Sequence, residues 1–123
     1  MLKHTLEVYL AEKLIFHSDG KWLHPLLELE KFLSNSNYDR TKLVVKDKII
    51  GRAAALILIY LGIQNVKAGI MSKLGKDALE KYVISYEYKN LVDRIQCRTE
   101  ELLQNEDDPQ KAYKIIKELS SSA

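Results

Sequence analysis

Leu43-Val44-Val45-Lys46-Asp47-Lys48-Ile49-Ile50-Gly51-Arg52-Ala53-Ala54-Ala55-Leu56-Ile57-Leu58-Ile59-Tyr60-Leu61-Gly62 is the stretch on which the fold turns. Its apolar centre, framed by lysines, predicts a strand from Lys42 to Lys46. Asp47 stands where a carboxylate can accept the free N–H groups of a following turn, which predicts a helix from Lys48 to Leu61 capped by Asp47. Gly62 is placed to stop that helix in the left-handed conformation. A strand running directly into an apolar helix is the first half of a parallel crossover.

The pattern continues toward the C-terminus. Val66 to Met71 predicts a strand, and Ser72 or Lys73 to Lys81 a helix with Gly75 as its weak point. Val83 to Tyr88 alternates, with Ile84, Tyr86 and Tyr88 on one face, as a half-buried strand should. Glu100 to Gln104 reads as a helical turn, and Asp108 as the cap of a last helix through Leu119. Residues 119–123 read as a frayed tail. Toward the N-terminus, Leu6, Tyr9 and Leu10 have helical spacing and predict a short helix over Thr5 to Lys13. Leu14 to His17 and Lys21 to His24 flank Ser18-Asp19-Gly20, and Asp-Gly between apolar runs predicts a hairpin turn. Pro25 can open a helix carrying Leu26, Leu27, Leu29, Phe32 and Leu33. The expected fold is one α/β domain over residues 1–123, three-layer α/β/α with a mixed sheet.

At 123 residues the chain has room for one proper core. A formal net charge of +2 leaves no footprint for duplex nucleic acid. No apolar run reaches a membrane span; the longest, Ala53 to Gly62, has the length of a buried helix. The start Met1-Leu2-Lys3-His4 lacks the apolar core and cleavage site of a secretion signal. A single cysteine, Cys97, excludes an internal disulfide and fits a reducing compartment, so a cytoplasmic location is expected.

Val45-Lys46-Asp47-Lys48-Ile49-Ile50-Gly51-Arg52-Ala53-Ala54-Ala55 resembles the signature of a small bacterial family of uncharacterised proteins with a cytidine deaminase-like fold. Asp93-Arg94-Ile95-Gln96-Cys97-Arg98-Thr99-Glu100 is similar to that family's second motif, an Asn-Arg followed by Cys-Pro-Met-Glu. Here Asp93 stands for the Asn and Arg98-Thr99 for Pro-Met, so no proline opens the second helix. The resemblance runs from the hairpin to the last helix and implies a fold, not an activity. In zinc deaminases two helix starts face each other across a pocket, one bearing His or Cys before Ala-Glu and the other Pro-Cys-x-x-Cys. Those ligands are missing here. Asp47, Cys97 and Glu100 are a poor imitation of a nitrogen and sulfur site. His4, His17 and His24 lie in the N-terminal helix and hairpin, without metal-ligand spacing on a helix. A zinc-dependent hydrolytic deaminase is thereby excluded, and no metal or cofactor is expected in the pocket.

Helix starts are anion sites, because their free N–H groups and dipole favour negative charge. Lys48 and Arg52, four apart, would share one helix face beside Gly51, where a ligand could approach the backbone. The ligand-binding candidates are Asp47, Lys48, Gly51, Arg52, Ser72, Arg94 and Cys97. Each has a plainer reading as well. Asp47 and Ser72 serve as caps, Gly51 allows close packing, and Lys48 and Arg52 are solvated. Cys97 could carry a thiolate nucleophile lowered by the dipole and by Arg94 and Arg98. It could equally be an unreactive thiol or part of a capping box with Glu100. Tyr86 and Tyr88 could stack on a base or simply form the packed face of the last strand. The functional expectation is zinc-independent binding of a nucleotide or other phosphate-bearing small molecule between the helix starts at Asp47 and Cys97. Two alternatives stand beside it: an enzyme using Cys97 or the Asp47 and Glu100 carboxylates, and a protein-interaction module with a vestigial pocket. No membrane partner is expected, and a homo-oligomer is left open.

Overall fold

The N-terminal hairpin is where the structure departs first from that reading. In the computed structural model, which describes residues 2–121, Leu6–Leu10 form a strand (β1) and Lys13–Ser18 its antiparallel partner (β2). Leu6, Val8 and Leu10 repeat every second residue as well as helically, and Leu6 and Val8 are buried. The turn is Ala11-Glu12, both residues at positive φ, rather than Asp19-Gly20. Two left-handed residues give the twist a two-residue hairpin loop needs. Lys21 to His24 is therefore no return strand; it leads into a helix (α1, His24–Ser34) with Pro25 in its first turn.

After a 3-10 turn at Arg40–Lys42, whose start Asp39 caps by accepting from the Thr41 N–H, the chain enters β3 (Leu43–Ile50). Then come α2 (Arg52–Tyr60), β4 (Asn65–Ser72), α3 (Lys73–Lys81), β5 (Ser85–Val92), α4 (Arg98–Leu102) and α5 (Pro109–Ser121). The sheet order is β2-β1-β3-β4-β5, with β1 antiparallel to both neighbours and β3, β4 and β5 parallel. The strand expected to end at Lys46 runs on through Ile50, so the helix begins four residues late and Gly51, not Asp47, is its N-cap. Gly62 has the positive φ expected of it. Asp108 caps α5 through the Gln110 N–H, and α5 continues past Leu119 to Ser121, so residues 119–121 are helical and 122–123 lie outside the described residues.

Helices α1, α2 and α3 cover one face of the sheet and α5 packs on α2, so the long helices lie on one side of the sheet rather than on both as expected. Phe16, Val8, Val45, Val66 and Tyr86 form one row across the five strands by register. At one end of that row the Phe16 ring lies 4.9 Å from Phe32 of α1; at the other the Tyr86 hydroxyl donates to Glu80 of α3. Handedness explains this. The crossovers β2-α1-β3, β3-α2-β4 and β4-α3-β5 advance across the sheet in one direction, and right-handed connections then place α1, α2 and α3 on the same side. Helix α2 is apolar all round and lies enclosed by the sheet, α3 and α5, with Arg52 to Leu58 buried. The opposite face carries a polar row instead, Glu7, Lys46, Lys67 and Glu87 in register. There Lys46 sits over the Tyr9 ring and Lys67 pairs with Glu87.

Two helices end in the same left-handed way with different residues. After α2, Gly62 donates to the Ile59 carbonyl and Ile63 to that of Leu58; after α3, Val83 donates to Glu80 and Ile84 to Leu79. The second ending puts a β-branched, 85% exposed valine at φ +58, a conformation such residues adopt only under strain. Val83→Gly is expected to stabilise the protein by about 1 kcal/mol, the left-handed cost less the added chain entropy of glycine. Thermal unfolding checks this, with Gly62→Val as the reverse exchange expected to destabilise.

Candidate functional site

Glu100 organises the region where β3 gives way to α2. It is almost fully buried, and its Oε1 accepts the Arg52 N–H at 2.6 Å while its Oε2 accepts the Ile95 N–H at 3.0 Å. Helix α2 has no side-chain cap of its own, because its N-cap is Gly51. Glu100 supplies the acceptor from another element, and an acidic group at a helix start is favoured by the dipole. It does not reach back to Cys97, whose N–H donates to the Ile95 carbonyl, so the capping box is not formed. Gly51 has to be small here: a Cβ would stand 2.7 Å from Glu100 Oε1 and 3.1 Å from the Ile95 side chain. Gly75 is a close approach rather than a weak point, since a Cβ there would meet the Gly51 carbonyl oxygen at 2.9 Å.

Arg52 and Ser72 serve the framework. Arg52 is not on one helix face with Lys48, which belongs to β3. It is buried, and its guanidinium donates to the Glu106 carbonyl at 2.6 and 3.1 Å, to the Leu74 carbonyl at 3.0 Å and to the Asp107 carboxylate at 2.7 Å. These bonds tie the start of α2 to α3 and to the loop before α5. Ser72 is fully buried and caps α3 by accepting from the Gly75 N–H.

The remaining candidates other than Arg94 border a cavity of about 260 Å³ at the C-terminal end of β3. Asp47, Lys48 and Gly51 line one side, Cys97, Thr99 and Glu100 another, with Ala53 and Ala54 of α2 between them. The two sequence motifs thus meet in space. Thr5, Trp22 and Leu23 close the third side, and nothing in their spacing pointed to them. Trp22 is 43% exposed at positive φ, edge-on to His24, so it is a wall of the cavity rather than core. Cys97 also borders a wider open groove with Asp93, Arg94, Gln96 and Glu101. The cysteine is exposed, its Sγ lies 3.2 Å from the Thr99 hydroxyl, and Arg94 bonds the Gln104 side chain.

Asp47 is the electrostatic anomaly of the cavity. Burial pushes its carboxyl up to about 7, against a weak 3.3 Å bond from the Ile49 N–H and a contribution from the Lys48 N–H. A carboxyl that resists ionisation inside a mostly apolar cavity is the kind of group found at binding and catalytic sites.

The model of the family described as a domain of unknown function, DUF1893, matches residues 3–119. The chain belongs to this family. A DUF1893 protein of Thermotoga maritima, known by crystal structure, is similar at 26% identity with a TM-score of 0.81, over 93% of this chain and 79% of that one. No curated protein matches. The mixed five-stranded sheet agrees with the α/β class and mixed sheet read from the sequence. No helix among the described residues is long and apolar enough to cross a membrane.

Two predictions follow from Asp47 and Arg52. With its folded value raised to about 7, Asp47 stays protonated in the folded protein while the unfolded chain ionises from about pH 4. Its contribution is complete below pH 4, falls between 4 and 7, and levels off above 7 at a cost of roughly 4 kcal/mol. Asp47→Asn should therefore match the wild type near pH 4 and exceed it in stability at pH 8, measured by urea unfolding across pH. Arg52→Met keeps the apolar stem but orphans its acceptors, and should cost about 3 kcal/mol in the same assay.

Proposed function

We propose that the protein binds a small planar ligand of the nucleobase or nucleoside class, without zinc, in the cavity beside Asp47. The observation carrying this reading is Asp47 itself, a buried carboxyl raised to about 7 in a pocket otherwise walled largely by apolar groups. Such a carboxyl is suited to pairing with the donor and acceptor edge of a nitrogen heterocycle, giving or accepting a proton in a hydrogen bond as the ring requires. Size points the same way, since 260 Å³ lies just below the roughly 300 Å³ where pockets for drug-sized ligands begin. A phosphate has no place at the start of α2, where Glu100 already accepts the first N–H and Arg52 is committed elsewhere. For a nucleotide, the phosphate would lie outside the cavity, toward the exposed Lys48. The deaminase-like resemblance supports this placement. The starts of α1 and α2, marked by Leu23 and Gly51, both border the cavity.

A second reading is favoured by the same residue. A carboxyl near 7 is poised as a general acid–base group, and Cys97 on the opposite wall offers a nucleophile.

The test is a thermal-shift and calorimetric series of nucleobases, nucleosides and nucleotides in the presence of EDTA. A base or nucleoside should raise the melting temperature and should lose that effect in Asp47→Ala. Lys48→Ala should weaken only phosphate-bearing ligands. A hit indifferent to Asp47→Ala would refute the placement, and no hit at all would leave the interaction-module reading in its place. Consumption of a bound ligand, lost in Asp47→Asn or Cys97→Ser, would select the enzymatic reading.

A further inference from the structure

The hairpin brings together three metal-ligating side chains that do not line the cavity. His4 precedes β1 and His17 lies near the end of β2, and their rings stack with centroids 4.0 Å apart at 23°. Asp19, just past β2, places its Oδ1 2.8 Å from His4 Nδ1. One ligand atom from each of the three residues falls within 4.8 Å of the others. Ligands 2.0–2.2 Å from a shared tetrahedral Zn²⁺ ion stand about 3.3–3.6 Å apart, so the set closes when the stacked imidazoles turn to bring a nitrogen of each into line with the ion.

The surroundings hold this cluster in place. The His4 N–H donates to Glu7 Oε2, and Glu7 pairs across the strands with His17. Gly20 donates to the Ser18 hydroxyl, which orders the turn carrying Asp19. Glu7, itself buried, is held in turn by the Tyr9 hydroxyl, which donates to its Oε1.

We propose that His4, His17 and Asp19 form a binding site for a divalent transition-metal ion of the Zn²⁺ type, separate from the ligand cavity. Two imidazoles and a carboxylate are a borderline nitrogen and oxygen set, which suits Zn²⁺, Co²⁺ or Ni²⁺ better than Ca²⁺ or Mg²⁺. With three protein ligands the ion keeps one or more positions for water. The bound ion clasps residue 4 to residues 17–19 and so stiffens the segments that continue into Thr5 and Trp22 on the cavity wall.

The test uses full-length, tag-free protein stripped with EDTA and titrated with ZnCl₂, with calorimetry for stoichiometry and thermal unfolding for linkage. One Zn²⁺ per chain, a melting temperature raised by several degrees, and little response to Mg²⁺ are expected. His4→Ala and His17→Ala should each weaken binding at least tenfold, and Asp19→Asn less. All three sites are at the surface, and unchanged circular dichroism would show that the variants fold. Co²⁺ provides an independent readout, through visible absorption bands that vanish in the His4→Ala, His17→Ala double variant. Failure to bind Zn²⁺, or binding that survives the double variant or depends on Cys97 instead, would overturn the assignment. Neither result bears on the nucleoside series, which is run in EDTA.

Discussion

A helix that begins inside a protein must find acceptors for N–H groups that no preceding turn can satisfy, and everything around α2 follows from that constraint. Its start is buried, its N-cap is a glycine without a side-chain acceptor, and that acceptor comes from Glu100. Glu100 is in turn positioned by α4 and by the Ile95 N–H, so the loop after β5 has to fold back over the end of β3. Arg52 completes the joint from the other side, drawing the loop before α5 and the first turn of α3 against the same point. The cavity is the space left over when α1, α2 and α4 converge on the end of one strand.

The two buried carboxyls there illustrate how environment divides roles. Glu100 has backbone N–H donors for both its oxygens and serves as a fixed part of the scaffold. Asp47, on the same cavity, has a long bond from the Ile49 N–H and a contribution from the Lys48 N–H, and is pushed up to about 7 by desolvation. Satisfied polar groups are structure, and under-satisfied ones are available for a ligand.

Much of the second half was legible because its signals are local. Gly62, Ser72 and Asp108 end or start helices through their own side chains or backbone, and the structure has them in those places. The first half misled where two periods coincide. Leu6 and Leu10 fit a helix and a strand equally, and only pairing with β3 decides between them. Asp47 looked like a cap because the charged Lys46-Asp47-Lys48 resembles the end of a strand. β3 passes through it because β4 pairs alongside as far as Met71. Within the site, Asp47, Gly51, Cys97 and Glu100 could be named from motif spacing. Thr5 and Trp22 could not, since they reach the cavity only through the hairpin. His4 and His17 are not related by spacing for the same reason, since a helix over Thr5 to Lys13 keeps them on separate elements. The handedness of three successive crossovers was also present in the element order, and it accounts for the common side of α1, α2 and α3.

The cap on α2 has a temporal side. Every strand pairs with a near neighbour in the chain, so the sheet can grow in order as the polypeptide emerges. The carboxyl that seals the start of α2 arrives 48 residues after the N–H it accepts. Until it does, the most apolar helix of the protein has an open end, and the growing chain carries that unsealed segment through the synthesis of β4, α3 and β5. Completion of the core is thereby tied to the arrival of the second motif, which makes the last third of the chain the gatekeeper of the first two.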